Sequence, residues 1–241
     1  MSREVEESQT VERGAEEAKT VSRFLKYTFF KAAREWRSLP EPEKAAARKE
    51  LADLLSKKGP ELNLHLFSLV GIRGDADFMV LAESKSLVPF QDLVASILAS
   101  KLGRHLDIPY SYLAMTRQSH YTRTHTEGPE PNPPERAKYL FVYPFIKKRS
   151  WYGLPFGDRQ RIMGEHFRVG RKYPKIKINT GYSFGLDDHE FVLAFEGDDP
   201  ADFLALVEEL RGTEASKYTE VETPIFTCVR SDATQLLRLL G

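Results

Sequence analysis

Apolar residues occupy consecutive positions in FMVLA (78–82) and FVLAF (191–195), the pattern of strands buried on both faces. Around them the period changes. In PEPEKAAARKELADLLSKKG, from Pro40, and LVPFQDLVASILASKLG, from Leu87, apolar residues recur at three- and four-residue spacing, which predicts helices. Pro40 and Pro155 each follow a leucine where a helix's first turn tolerates proline. LKYTFFK before Leu39-Pro40 matches KYLFVYP before Leu154-Pro155. Each half of the chain thus reads as a strand, a helix opened by Leu-Pro, a strand, a second helix and a last strand.

The halves share a register. Phe78 and Phe191 stand 113 positions apart, as do Glu83 and Glu196, Phe90 and Phe203, and Arg117 and Arg230. An offset that holds without a gap through a strand, a helix and a second strand marks a duplication. The β-α-β-β-α-β half it implies is a ferredoxin-like unit. Two of them predict an α+β fold class: tandem ferredoxin-like units forming a dimeric α+β barrel within one chain, helices outside. The expected divisions are a mobile charged tail over 1–20, an N-terminal half over 21–126, a proline-rich linker over 127–137 and a C-terminal half over 138–241 that carries the site.

Composition narrows the function classes. Thirty-five basic residues balance thirty-five acidic ones, so no global field attracts nucleic acid or an anionic membrane surface. Cys228 is the only cysteine, which excludes an internal disulfide, a thiolate zinc site, a Cys-ligated iron–sulfur cluster and a CxxCH haem attachment within one chain. A reducing, cytoplasmic location is the simplest reading. No apolar run has the length of a membrane span, and the first twenty residues lack the apolar core of a signal peptide.

Duplicated copies are most informative where they diverge. YPFIKKRSWYGLP sets Tyr143, Lys147 and Trp151 at steps of four, whereas its counterpart FFKAAREWRSLP keeps a tryptophan but has no Tyr-Pro. By composition alone this is a strand end with cations in solvent, or the wall of a site. His166 stands four residues after Ile162 and three before Val169, on the apolar face of a predicted helix. Such a histidine is either a satisfied core residue or a metal or haem ligand, with one nitrogen free for iron. No HExxH accompanies it, so one axial histidine fits haem better than zinc. GEHFRVGRK has the wrong spacing and ending for a phosphate loop, and no GxSxG elbow appears. The acidic pairs Asp187-Asp188 and Asp198-Asp199 read as solvated turns or helix caps.

Taken together, YPF-I-K with SWYGLP, H-x4-RKYP from His166, GLDDHEFVLAFE, EASKY at Glu214 and the closing PIFT resemble the chlorite dismutase-like haem proteins, a family that includes the coproheme decarboxylases of bacterial haem synthesis. The resemblance runs from about Val21 to the end of the chain. It implies a paired ferredoxin-like barrel, assembled as a ring of five subunits. It matches His166 to the proximal haem-iron ligand and Glu214 to the carboxylate that accepts the imidazole's other N–H. Tyr143 matches the radical-forming tyrosine of the decarboxylases, Lys147 a lysine that holds a propionate, and Trp151 a tryptophan beside the porphyrin edge.

One position departs from the family pattern. Chlorite dismutases carry a distal arginine seven residues before the glycine of GLDD, and decarboxylases of the low-GC Gram-positive type a glutamine; this chain has Ile178 there. The actinobacterial decarboxylases have a small apolar residue at that place and draw a distal histidine from the loop before the Tyr-Pro strand. His120 and His125 are the candidates, and His125, nearer the expected place, is favoured as the base that deprotonates peroxide. The short spacing between Tyr143 and His166 also looks actinobacterial.

The resemblance therefore implies peroxide-dependent decarboxylation of iron coproporphyrin (coproheme), which is both substrate and cofactor, to haem b. The implied partners are coproheme, hydrogen peroxide, further copies of the chain and a ferrochelatase. The alternatives are a haem-binding or trafficking protein with feeble peroxidase activity, residual chlorite dismutation, and a ring that binds no porphyrin.

Overall fold

The structure is a computed structural model that describes residues 22–117 and 137–241. The first half contains β1 (Phe24–Ala32), α1 (Arg34–Ser38), α2 (Glu41–Leu62), β2 (His65–Ser68), β3 (Phe78–Ser84), α3 (Val88–Ala99), a 3-10 turn (Gly103–His105) and β4 (Leu106–Thr116). The second contains β5 (Tyr139–Lys147), α4 (Arg149–Tyr152), α5 (Phe156–Gly170), β6 (Lys177–Tyr182), β7 (Phe191–Gly197), α6 (Pro200–Arg211), a 3-10 turn (Glu214–Tyr218), β8 (Thr219–Val221), β9 (Phe226–Ser231) and α7 (Ala233–Arg238). Pro40 and Pro155 stand immediately before α2 and α5, their fixed φ already near the helical value. Three of the acidic turn residues bind backbone N–H groups. Asp199 caps α6 through the Ala201 N–H, Asp198 accepts from Lys138, and Asp187 accepts from Leu113 at 2.7 Å, tying its loop to β4.

All the strand pairs are antiparallel, and the strands form one mixed α+β architecture around a large sheet. Their order is β7-β6-β4-β1-β3-β2-β9-β5-β8, and β5 pairs with β7 as well. Following neighbours from β7 along that order to β5 thus leads back to β7. Side chains alternate between faces along a strand. One face, with Tyr27, Phe29, Phe67, Val142, Ala194 and Phe226, packs against itself into a central core that includes the buried Cys228. Gly181 lies where β6 passes closest to β4, since a Cβ there would come within 2.7 Å of the Ala114 Cβ.

The other face is treated differently in the two halves. In the first, Phe30, Phe78 and Val80 are completely covered by a helical layer that includes Leu51, Phe90 and Trp36. Leu236, Leu237 and Leu240 from the chain's end join that layer, and the Trp36 indole N–H donates to the Leu240 carbonyl at 3.1 Å. In the second half, Phe141, Tyr143, Phe195, Phe203 and Leu206 form a comparable cluster under α6. Next to it, the face of β6 is open: Ile178 is 44% exposed and Phe184, just beyond β6, 50%.

Candidate functional site

Alternation along β5 sends Tyr143, Phe145 and Lys147 to the outer face. The registers extend that face sideways. Tyr143 is opposite Leu193 and then Thr180, Phe145 opposite Phe191 and then Tyr182, and Phe141 opposite Phe195 and then Ile178. With strands about 4.8 Å apart, Ile178 lies about 10 Å across the sheet from β5. The result is a broad, largely apolar floor. Phe191 is its centre, with edge-on contacts to Phe145, Tyr182 and Phe184 at ring separations of 5.0–6.2 Å.

Above the floor lies α5. At 3.6 residues per turn, Arg159, Met163, His166 and Gly170 form one stripe along it. Gly170 identifies the direction of that stripe, because a Cβ there would sit 3.7 Å from the Ile178 side chain. His166 is half-buried, and burial, reinforced by the nearby Lys147 ammonium, pushes its pKa down to about 4. Its imidazole is therefore neutral at physiological pH. Among the described residues, no hydrogen bond engages either ring nitrogen.

Lys147 is held at the edge of the floor. Its Nζ lies 4.8 Å above the ring of buried Trp151 and donates to the Ala215 carbonyl at 3.1 Å, and burial lowers its pKa to about 8. Trp151 packs with Ile162 and Ala215, which makes it a rigid base for that cation. Tyr143 is buried in a parallel stack on Phe195, with 5.8 Å between ring centres. Burial raises its phenol pKa; the Glu222 carboxylate adds to the rise and Arg211 opposes it. Tyr143 also lines an apolar cavity of about 490 Å³ beside α6, which the ion-paired Arg211 and Glu222 line as well.

Tyr143 and Lys147 share one strand face, Trp151 supports Lys147, and the helix bearing His166 touches Ile178 on the floor. Glu214 lies in the 3-10 turn packed on α5, and its carboxylate accepts from both terminal nitrogens of Arg161, at 2.8 and 3.3 Å. That pairing holds its carboxyl below the usual range. The backbone N–H of Glu214 donates to Glu165, the neighbour of His166, at 3.1 Å. His120 and His125 fall outside the described residues, as does the linker up to residue 136.

Glu190 was missed by the sequence reading. One of its carboxylate oxygens accepts from the Lys147 backbone N–H at 2.8 Å and from the Tyr152 hydroxyl at 2.6 Å, which fixes the strand end to α4. The signal was present as the last acid of GLDDHE, but turn acids usually face solvent, and nothing in the spacing distinguishes this one.

A sheet whose pairings return to their first strand, with helices on its outer face, places this chain among the mixed α+β proteins of the chlorite dismutase type. Residues 44–231 match the family described as chlorite dismutase, and the chain belongs to that family. It is 33% identical over 180 residues to the coproheme decarboxylase of Mycolicibacterium smegmatis, a match covering 73% of this chain and 76% of that protein. Its fold is shared with a mutant chlorite dismutase from Candidatus Nitrospira defluvii, at a TM-score of 0.83 and 22% identity over 93% of this chain and 98% of that one. A protein described as a novel haem-binding protein from Thermus thermophilus superposes at 0.78 and 23% identity, over 92% of this chain and 96% of that one. No helix among the described residues is long and apolar enough to cross a membrane.

Proposed function

We propose that this protein is a peroxide-dependent coproheme decarboxylase that converts propionates of iron coproporphyrin to vinyl groups and yields haem b. The observation that carries the reading is the open apolar floor, which has Tyr143 and Lys147 on its strand side and a neutral His166 on the helix above it. The name of the Mycolicibacterium relative supports the same reading. We read the closed circuit of strands as the barrel of two ferredoxin-like units, and the family resemblance points to a ring of five such chains in the cytoplasm, supplied by a ferrochelatase.

The residues fit an iron porphyrin. A flat macrocycle needs a broad apolar surface, its iron a neutral imidazole, and its carboxylates a cation. When bound, the porphyrin iron supplies the means of reducing peroxide. His166 is the iron ligand, and Glu214 in its adjoining turn accepts the second N–H once Arg161 yields. Trp151 keeps Lys147 at the porphyrin edge, where the ammonium holds a propionate. Tyr143 loses a hydrogen atom and then takes one from the propionate side chain, so its phenol is restored. Its raised pKa keeps the proton in place until the electron leaves. Each propionate gives up that hydrogen atom and one further electron as carbon dioxide departs, while peroxide with two protons accepts the two electrons and becomes two molecules of water. His125 is the base that takes the first proton from peroxide.

The test is to load apoprotein with coproheme, add peroxide in small steps and follow the porphyrin mass. Stepwise loss of propionate carboxyls in wild type, and none in Tyr143→Phe, is the expected result. Bleaching without any such loss, in both proteins alike, would overturn the reading. Ile178, apolar and exposed on the floor, favours a second reading, a haem-binding or trafficking protein; tighter binding of haem b than of coproheme would support it.

A further inference from the structure

Arg159 is anomalous. Its Nε is shut off from solvent, and among the described residues it has no hydrogen-bond partner and no carboxylate lies within ion-pairing distance of its guanidinium. Its contact of note is with the Phe156 ring, 5.7 Å from the guanidinium carbon. A desolvated donor on a charged group, left unsatisfied, is costly, and native structures rarely tolerate one without a purpose. By contrast, Arg161, two residues on, points to another side of α5 and is paired with Glu214.

The position of Arg159 suggests the missing partner. It lies seven residues before His166, about 10 Å along the helix axis, on the stripe of α5 whose other end, at Gly170, meets Ile178 on the floor. That separation is comparable to the distance from the centre of a tetrapyrrole to its side-chain carboxylates. Lys147 approaches the floor from the strand side, while Arg159 approaches it from the helix side.

We infer that Arg159 is a carboxylate-binding residue of the cleft, which receives a propionate of the porphyrin whose iron His166 ligates. The inference rests on the porphyrin reading above and adds to it a second anchor. A guanidinium presents two parallel N–H donors to a carboxylate, so this anchor fixes the rotation of the macrocycle in its plane as well as its affinity. Lys147 alone, a point charge, leaves that rotation free.

The test is a binding titration without peroxide, using ferric coproheme and its tetramethyl ester, on wild type, Arg159→Gln and Arg159→Lys. Arg159→Gln is expected to weaken coproheme binding about tenfold or more and to leave the ester within about twofold of wild type. Arg159→Lys should recover part of the loss. The melting temperature of the apoprotein should fall little in Arg159→Gln, because no described hydrogen bond or ion pair is lost, only the contact with the Phe156 ring. Coproheme affinity unchanged in Arg159→Gln, or equal weakening of acid and ester, would overturn the inference while leaving the decarboxylase reading intact. Failure of wild type to take up either porphyrin would overturn both. Binding with the expected pattern but no loss of carbon dioxide on adding peroxide would retain the anchor and remove the enzyme.

Discussion

The ammonium of Lys147 lies 4.8 Å above the Trp151 ring and donates to the Ala215 carbonyl. Strand, short helix and 3-10 turn thus meet at one charge. Among the described residues, its only opposite charges are more distant carboxylates, those of Glu190 and Glu222. A cation held this way is ready for an anion from outside the chain.

Because burial brings the Lys147 pKa down to about 8, its charge is nearly complete at pH 7 and is lost as pH rises through 8. A bound carboxylate raises that pKa, so coproheme affinity should fall between the free and bound values, on the order of tenfold from pH 7 to 9.5. Lys147→Met should bind more weakly at pH 7 and show a flat profile over the same range. Titrations without peroxide across that window would check both.

For His166 the sign runs the other way in its effect on folding. Its folded pKa of about 4 lies below the ordinary histidine value of 6.5, so below pH 6.5 the unfolded chain takes up a proton that the folded one refuses. Stability is therefore lost as pH falls from 6.5 towards 4. Urea unfolding of apoprotein at pH 7.5 and 4.5 should show wild type losing about 2 to 3 kcal/mol more than His166→Leu between the two conditions.

Glu190 is a carboxylate at a joint. Replacing it with alanine strands both the Lys147 backbone N–H and the Tyr152 hydroxyl, and should cost about 2 kcal/mol in urea unfolding, against about 1 for Tyr152→Phe. The double variant should lose less than the sum, because one hydrogen bond is counted in both.

The fold was legible wherever it rests on periodicity. The duplicated register of Phe78 with Phe191 and Phe90 with Phe203 located corresponding strands and helices, and the steps of four singled out Tyr143, Lys147 and Trp151 at a strand end. The illegible parts rest on single polar residues meeting across long intervals. Glu190 reaches Lys147 from 43 positions away, and Glu214 reaches Arg161 from 53. Neither distance leaves a pattern in one sequence. β2 was implied only by the β-α-β-β-α-β unit and could be given no residues, since four residues, only two of them buried, are too few to show a period. That no described group pairs with the Arg159 Nε is a property of the folded chain and leaves no mark in the spacing.

The hydrogen bond from Trp36 to Leu240 spans 204 positions and joins the beginning of the first half to the last residues of the second. The closing helix α7 lies on the helical layer of the opposite half, so the first half does not by itself contain everything needed to bury its own apolar face. The two halves are thus not separable modules, and the sealed half serves as the permanent buttress that allows the other to keep one face bare.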